Sequence, residues 1–299
     1  MAERRAVAAA AGDGGGWPAR AKINLYLHVT GRRADGYHCL DSLIVFARLA
    51  DTIEVEANGE LVLDIDGPFA MGLATDQNNL VLQAAMSLAQ AAGISARARI
   101  KLYKNLPVAA GLGGGSADAA ATLLALRALW NLPTDDITLN ALAARLGADV
   151  PVCLTTRPSL VRGIGHDLLP APPMPSFALL LVNPGLALST AAVFEGLQKQ
   201  FASSVPWRES PHNAVALAQS LGQRRNDMEP AARRLTPVIG DVIEALSALP
   251  GCRLARMSGS GATCFGLFDD LAGAEGAAKK LAAARTDWWV RASAIERIG

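Results

Sequence analysis

Apolar and polar residues alternate from Ala21 onward: Ile23, Leu25, Leu27 and Val29 fall between Lys22, Asn24, Tyr26 and His28. A period of two predicts a half-buried strand with the polar set on its open face. Gly31–Gly36 reads as a polar turn. Ser42–Ala47, Thr52–Val55 and Leu61–Ile65 read as three further strands. The spacing predicts a helix over 80–92, capped by Asn78 or Asn79 and stopped by Gly93. Ala98–Tyr103 alternates again, so it reads as a strand. Apolar helices follow over 117–130 and 135–146, the second closed by Gly147, and a short helix starts near Val150-Pro151. Residues 160–165 lead to the prolines of 170–175, the most linker-like stretch. A buried strand is expected over 177–183, helices over 190–201, 213–221 and 230–249 (the last broken near Pro237), and strands over 254–257 and 263–268. A helix over 271–284 and a strand over 288–294 finish the pattern. Strands and helices mix in both halves, so the class is α+β.

Composition narrows the picture. The chain has 299 residues, is 51% hydrophobic and 18% charged, and can bury a large core. Its net charge of +1 argues against a broad nucleic-acid face. Cys39, Cys153, Cys252 and Cys264 form no C-x-x-C pair, which fits reduced thiols in a cytoplasmic protein better than a zinc or disulfide framework. No apolar run approaches the roughly 18 residues that span a membrane. Arg4-Arg5 before Ala6–Ala11 weakly imitates a targeting signal, but Asp13 and Gly14–Gly16 follow, so residues 1–16 read as a flexible extension.

The densest chemical signal is Pro107-Val108-Ala109-Ala110-Gly111-Leu112-Gly113-Gly114-Gly115-Ser116-Ala117, with a helix behind it. Glycine permits left-handed backbone and close ligand approach. A helix start offers free N–H groups and the positive end of its dipole, so a polyphosphate is the natural guest. No lysine precedes Ser116, which excludes a Walker A loop, and the glycine spacing differs from the Rossmann pattern. The plainer alternative is a flexible turn with Ser116 as an ordinary N-cap.

The segment Pro-x-x-x-Gly-Leu-Gly-x-x-Ser resembles the ATP loop of the galactokinase, homoserine kinase, mevalonate kinase and phosphomevalonate kinase (GHMP) superfamily. Ala21–Leu25, Gly31–His38, Leu146–Val152, Asn226–Glu229 and Ser258–Ala262 are similar, in order and spacing, to the 4-diphosphocytidyl-2-C-methyl-D-erythritol kinase family. The resemblance runs over residues 17–299. It implies a two-domain fold: a ribosomal-protein-S5-like N-terminal domain with a left-handed crossover, and a ferredoxin-like α+β C-terminal domain. It places an ATP-binding and catalytic domain over 17–160 and a substrate-binding domain over 161–299. It implies ATP as co-substrate, with Mg²⁺ arriving on the ATP phosphates. The acceptor it implies is a cytidine-diphosphate-linked methylerythritol in a non-mevalonate route to isoprenoids. Nucleic acid and membrane are not expected partners, and a monomer or homodimer is expected.

The same resemblance assigns the site. Asp149 would orient and deprotonate the attacking hydroxyl, although by position it could simply cap the helix behind it. Lys22 would partner Asp149, although a lysine on a strand's polar face is usually just solvated. Asn24 shares the face of Lys22 and would contact substrate. Tyr37 and His38 would meet a cytosine ring by stacking and hydrogen bonding. Phe194 would supply the opposite face, with Thr190 one helical turn earlier; alone, Phe194 reads as a core residue. Gly259 and Ser260 would pack near the phosphate loop and the substrate. No metal cage of clustered carboxylates is evident. Two other functions fit parts of the pattern: a superfamily kinase acting on homoserine or mevalonate, and a non-catalytic ATP-binding protein.

Overall fold

The computed structural model describes residues 15–197, 201 and 206–296. Residues 1–14 of the expected N-terminal extension, and residues 198–200 of the helix expected over 190–201, lie outside them. Its contacts resolve two compact units interleaved in sequence. The first holds residues up to Ala21, Leu49–Val108 and Gly113–Thr156. The second holds Lys22–Arg48, Ala109–Leu112 and the chain from Arg157 onward. Strands β1 (Trp17–Arg32) and β2 (His38–Glu56) each contribute to both. β2 runs straight through the two shorter strands expected at 42–47 and 52–55.

In the first unit, β4 (Ala98–Tyr103) pairs antiparallel with Thr52–Glu56 of β2 and parallel with β3 (Leu61–Asp66). The parallel pair needs a crossover, which α1 (Leu80–Ala92) supplies. Asn79 caps α1 by accepting the Val81 N–H, and Gly93 ends it at φ 67°. α2 (Gly114–Leu129) carries Ala117, Ala119, Ala120, Ala121 and Ala125 buried, so it is sunk into the unit and approaches its neighbours closely. α1, α3 (Asp136–Leu146) and α4 (Val150–Thr155) pack against it. Asp135 caps α3 through the Thr138 N–H.

In the second unit, Leu40–Ile44 of β2 pair with β5 (Ser159–Gly163), which turns back into β6 (Asp167–Pro170). The hairpin was not expected. Its signal is the Gly163-x-Gly165 pair, whose φ values are 62° and 104°. A four-stranded antiparallel sheet has the order β10 (Trp289–Ala294), β7 (Ala178–Asn183), β9 (Cys264–Phe268), β8 (Leu254–Met257). In chain order that is 4-1-3-2, the ferredoxin-like arrangement. β7 is central and buried throughout. Helices α5 (Thr190–Glu195), α6 (Ala214–Gly222), α7 (Glu229–Leu235), α8 (Val238–Ser247) and α9 (Leu271–Ala284) complete the unit. Leu180, Val182, Ile239, Val242, Leu246 and Phe268 lie in one apolar cluster there with Leu27 and Val29 of β1. The break between α7 and α8 falls at Thr236-Pro237, because proline cannot continue a helix that has already begun. α5 stops at Glu195, six residues into the helix expected over 190–201, with Gly196 as its cap.

No helix among the described residues is long and apolar enough to cross a membrane.

Candidate functional site

Most of the candidate residues lie in the second unit, and several of them touch. β1 is not half-buried. Lys22, Asn24, Tyr26 and His28 are as buried as the apolar residues between them. Buried polar groups must find partners, and of these four side chains only His28 leaves a buried atom, its Nδ1, without one. The Lys22 ammonium donates to Asn24 Oδ1 at 3.4 Å, so the two share a face as the period of two requires. Asn24 Nδ2 donates to Ser42 Oγ at 2.8 Å, and Ser42 Oγ donates to the Tyr26 carbonyl at 2.6 Å. Asn24 is thereby fixed from both sides of its amide.

The middle of the glycine-rich loop is stitched to the same strand. Lys22 N–H donates to the Leu112 carbonyl at 2.8 Å. Ser258 Oγ accepts the Asn24 N–H at 3.2 Å and donates to the Gly111 carbonyl at 3.1 Å. Thr263 N–H donates to the Ala110 carbonyl at 3.1 Å. Gly111 stands at φ 73°, and a Cβ there would lie 2.8 Å from the Gly261 nitrogen. Glycine is therefore required at 111 on two counts, backbone conformation and space. Gly259, at φ 55°, would bring a Cβ within 3.0 Å of the Gly111 carbonyl oxygen. Loop 258–262 and loop 109–112 thus form one tightly packed layer over β1. Asn226 Nδ2 holds this layer by donating to the Met257 and Gly259 carbonyls at 2.9 and 2.8 Å. Asp227 Oδ2 accepts the Val29 N–H at 2.8 Å.

The remainder of the loop belongs to the first unit. Pro107 is buried and Val108 exposed. Helix α2 begins at Gly114, three residues earlier than its apolar pattern suggested. Its N-cap is Gly113, at φ 63°, and not Ser116, which is the third helical residue. The N–H groups of Gly114, Gly115 and Ser116 have no acceptor within the helix by its geometry. They form the positive end of a 16-residue helix. Ala117 is buried behind them.

Asp149 occupies the N-cap position of α4, with Pro151 in the first turn, yet its side chain makes no cap hydrogen bond. The simple capping role therefore fails. Asp149 and Lys22 belong to different units.

Two more groups in the second unit are brought together. Thr190 Oγ1 and Ser260 Oγ share a hydrogen bond of 2.8 Å. His38 stacks on Phe194, with ring centroids 4.8 Å apart and planes at 16°. Burial, aided by the Arg32 guanidinium, holds the His38 imidazole below its ordinary pKa, so the ring is neutral near pH 7. Tyr37 precedes it in a turn closed by the Arg33 N–H to Tyr37 carbonyl bond of 2.8 Å, and its side chain is 62% exposed. Phe194 is thus not a plain core residue; one of its faces meets a polar ring.

Among the described residues no group of three or more His, Cys, Asp or Glu could hold a metal ion.

Sequence reasoning missed Ser42, Ser258 and the bonding roles of Asn226 and Asp227. Ser258 and the Asn226-Asp227 pair sit in segments that match the family, so position was the available signal and function was not.

With this geometry in view, the comparisons are specific. Residues 79–157 match the GHMP kinases N terminal domain and residues 208–286 the GHMP kinases C terminal domain. The chain is 51% identical over 275 residues to the 4-diphosphocytidyl-2-C-methyl-D-erythritol kinase of Rhodospirillum rubrum, covering 92% of this chain and 90% of that one. It is 50% identical over 279 residues to the enzyme of the same name from Parvibaculum lavamentivorans, covering 92% and 96%. A crystal structure of 4-(cytidine 5'-diphospho)-2C-methyl-D-erythritol kinase superposes with TM-score 0.79 at 37% identity, covering 95% of this chain and all of that one. Homoserine kinase from Cytophaga hutchinsonii shares the fold, with TM-score 0.67 at 20% identity and coverage of 92% and 95%.

Proposed function

The chain belongs to the 4-diphosphocytidyl-2-C-methyl-D-erythritol kinases of the GHMP family, and we propose from that membership how its own residues divide the work. The protein is an ATP-dependent kinase. It transfers the γ-phosphate to the 2-hydroxyl of 4-diphosphocytidyl-2-C-methyl-D-erythritol, a step of the non-mevalonate route to isoprenoid precursors. What carries this reading is half identity along nine-tenths of the chain.

In our reading, residues 17–160 serve ATP binding and catalysis and also lend Asn24, Tyr37 and His38 to the acceptor, while residues 161–299 supply the rest of the acceptor site. Loop 107–117 receives the ATP phosphates. Support comes from the unpartnered helical amides at 114–116 and from the glycines that keep side chains out of the way. Mg²⁺ bound with the ATP phosphates would supply neutralisation of their charge, and Ser116 is the loop side chain that would approach it. Asp149 takes the proton of the 2-hydroxyl as the oxygen forms its bond to the γ-phosphorus. The bond from that phosphorus to the bridging β–γ oxygen breaks, and ADP leaves with the electron pair. Lys22 offsets charge on the transferring group, and Asn24 orients the acceptor. The network through Ser42 and Ser258 supports both by fixing their positions.

Tyr37, His38 and Phe194 receive the cytosine, and Thr190, Gly259 and Ser260 line the way to the reacting hydroxyl. A neutral His38 can both donate to and accept from a base edge. For a base to lie on the covered face of Phe194, His38 must swing off it. Phe194→Ala should raise the KM of the acceptor by about 5- to 150-fold, the equivalent of about 1–3 kcal/mol of stacking, with the KM of ATP unchanged. Equal rises in both would contradict the assignment. A panel of acceptors tests the function itself: the cytidyl compound should be phosphorylated, while homoserine and mevalonate should not.

A further inference from the structure

Beneath the start of α2, in the first unit, three charged side chains are buried together. Asp51 is wholly buried, and Lys104 and Asp118 are each 3% exposed. The Lys104 ammonium donates to Asp51 Oδ2 and, at 2.7 Å, to Asp118 Oδ2. Asp51 spends its other oxygen on backbone, accepting the N–H groups of Asn105 and Leu106 at 2.6 and 2.8 Å. Those two residues lead directly into Pro107. Asp118 lies on the second turn of α2, behind the loop. One ammonium therefore ties the chain entering the glycine-rich segment to the helix leaving it.

The geometry points to a positioning role: Lys104, Asp51 and Asp118 act as a staple that sets where the first turn of α2 presents its amides. Three further observations support this. A Cβ on Gly114 would lie 3.5 Å from the Lys104 nitrogen and 3.6 Å from Asp51 Oδ2, so the first helical residue rests on the staple. Asp118 Oδ1 is buried with no hydrogen-bond partner, an arrangement that stability alone does not favour. Burial also pushes the Asp118 carboxyl up to about 7 against the opposing pull of Lys104, with Asp51 adding to the rise. A proton on Asp118 leaves the three groups without net charge under a phosphate site. Misplacing donors by an ångström weakens a phosphate cradle even when every donor remains.

The inference rests on the assignment of the ATP phosphates to loop 107–117, and its test separates the two. The probe is a non-hydrolysable ATP analogue, titrated calorimetrically against wild type, Asp118→Asn and the double variant Lys104→Met with Asp118→Leu. Exchanging a buried ion pair for apolar side chains of similar size is often neutral for stability, so the double variant keeps the fold while removing the staple. We expect its affinity for the analogue to fall about tenfold, close to 1.4 kcal/mol. Asp118→Asn keeps an oxygen for Lys104 and should recover part of that loss. Affinity for the cytidyl acceptor should stay within about twofold of wild type, since a tenfold change is 1.4 kcal/mol and a twofold change well under that. A folded double variant that binds the analogue like wild type overturns the staple and leaves the loop assignment standing. A wild-type protein that does not bind the analogue overturns the loop assignment and the staple with it.

Discussion

Asp149→Asn is expected to lower kcat by about 100- to 10,000-fold, the range for removing a positioned acid–base group. Asparagine has nearly the same shape, but it takes no proton from a hydroxyl at neutral pH. The loop proposed to hold the nucleotide does not include residue 149, so ATP affinity should stay near wild type. Steady-state kinetics with the cytidyl acceptor, together with binding of an ATP analogue, check both halves. A near-normal kcat would reduce Asp149 to a structural residue.

The second large effect concerns stability. Lys104→Met should destabilise the fold by about 3–5 kcal/mol, the cost of leaving buried charge uncompensated. Two carboxylates share that ammonium, and neither Asp51 nor Asp118 is exposed enough to turn to water. Asp51 retains two backbone donors, so the burden falls mainly on Asp118. Adding Asp118→Leu to Lys104→Met should therefore recover much of the loss. Chemical denaturation of the three proteins measures it; a single variant as stable as wild type would show that the ammonium does not hold these groups. The position has a practical use as well, since a destabilised single variant beside a stable double one separates folding from nucleotide affinity.

Local pattern reported much of the architecture. The limits of α1, α3, α6 and α9 follow from caps and periodicity, because each is bounded by a residue whose chemistry is local: Asn79 and Gly93, Asp135, Asn213, Asp270; β4 follows from its period of two. The long strands were less legible. β2 continues through Arg48–Asp51, where polar residues interrupt the alternation, because its neighbours change along its length: β5 beside residues 40–44 and β4 beside 52–56. The interleaving of the two units follows from the same long strands, and no linear boundary expresses it. The open face expected for β1 is buried because other parts of the second unit satisfy its polar groups: Ser258 bonds the Asn24 N–H, and Arg225 donates its N–H to the His28 ring. Those partners lie about two hundred residues away, beyond any local pattern.

The candidate site divides the same way. The glycine-rich loop announced itself through composition, and the structure supplies the reason for glycine at 111 and at 113 in their left-handed backbone. Lys22 and Asn24 share a face because a strand has period two. The Thr190–Ser260 bond and the His38–Phe194 stack join residues 70 and more positions apart; resemblance put these residues in one site, and neither direct pairing was expected. The buried group under α2 escaped notice because Asp51, Lys104 and Asp118 each look ordinary in sequence. Only folding shows that one ammonium serves two carboxylates.

The central claim is that this chain moves a phosphoryl group from ATP to the cytidyl acceptor. ADP release by the wild-type protein, followed in a coupled assay with and without 4-diphosphocytidyl-2-C-methyl-D-erythritol, tests it most directly. The account predicts ADP formation that requires the acceptor and matches, mole for mole, a product phosphorylated on the 2-hydroxyl. ADP release that is indifferent to the acceptor, or that appears only with homoserine or mevalonate, would contradict it.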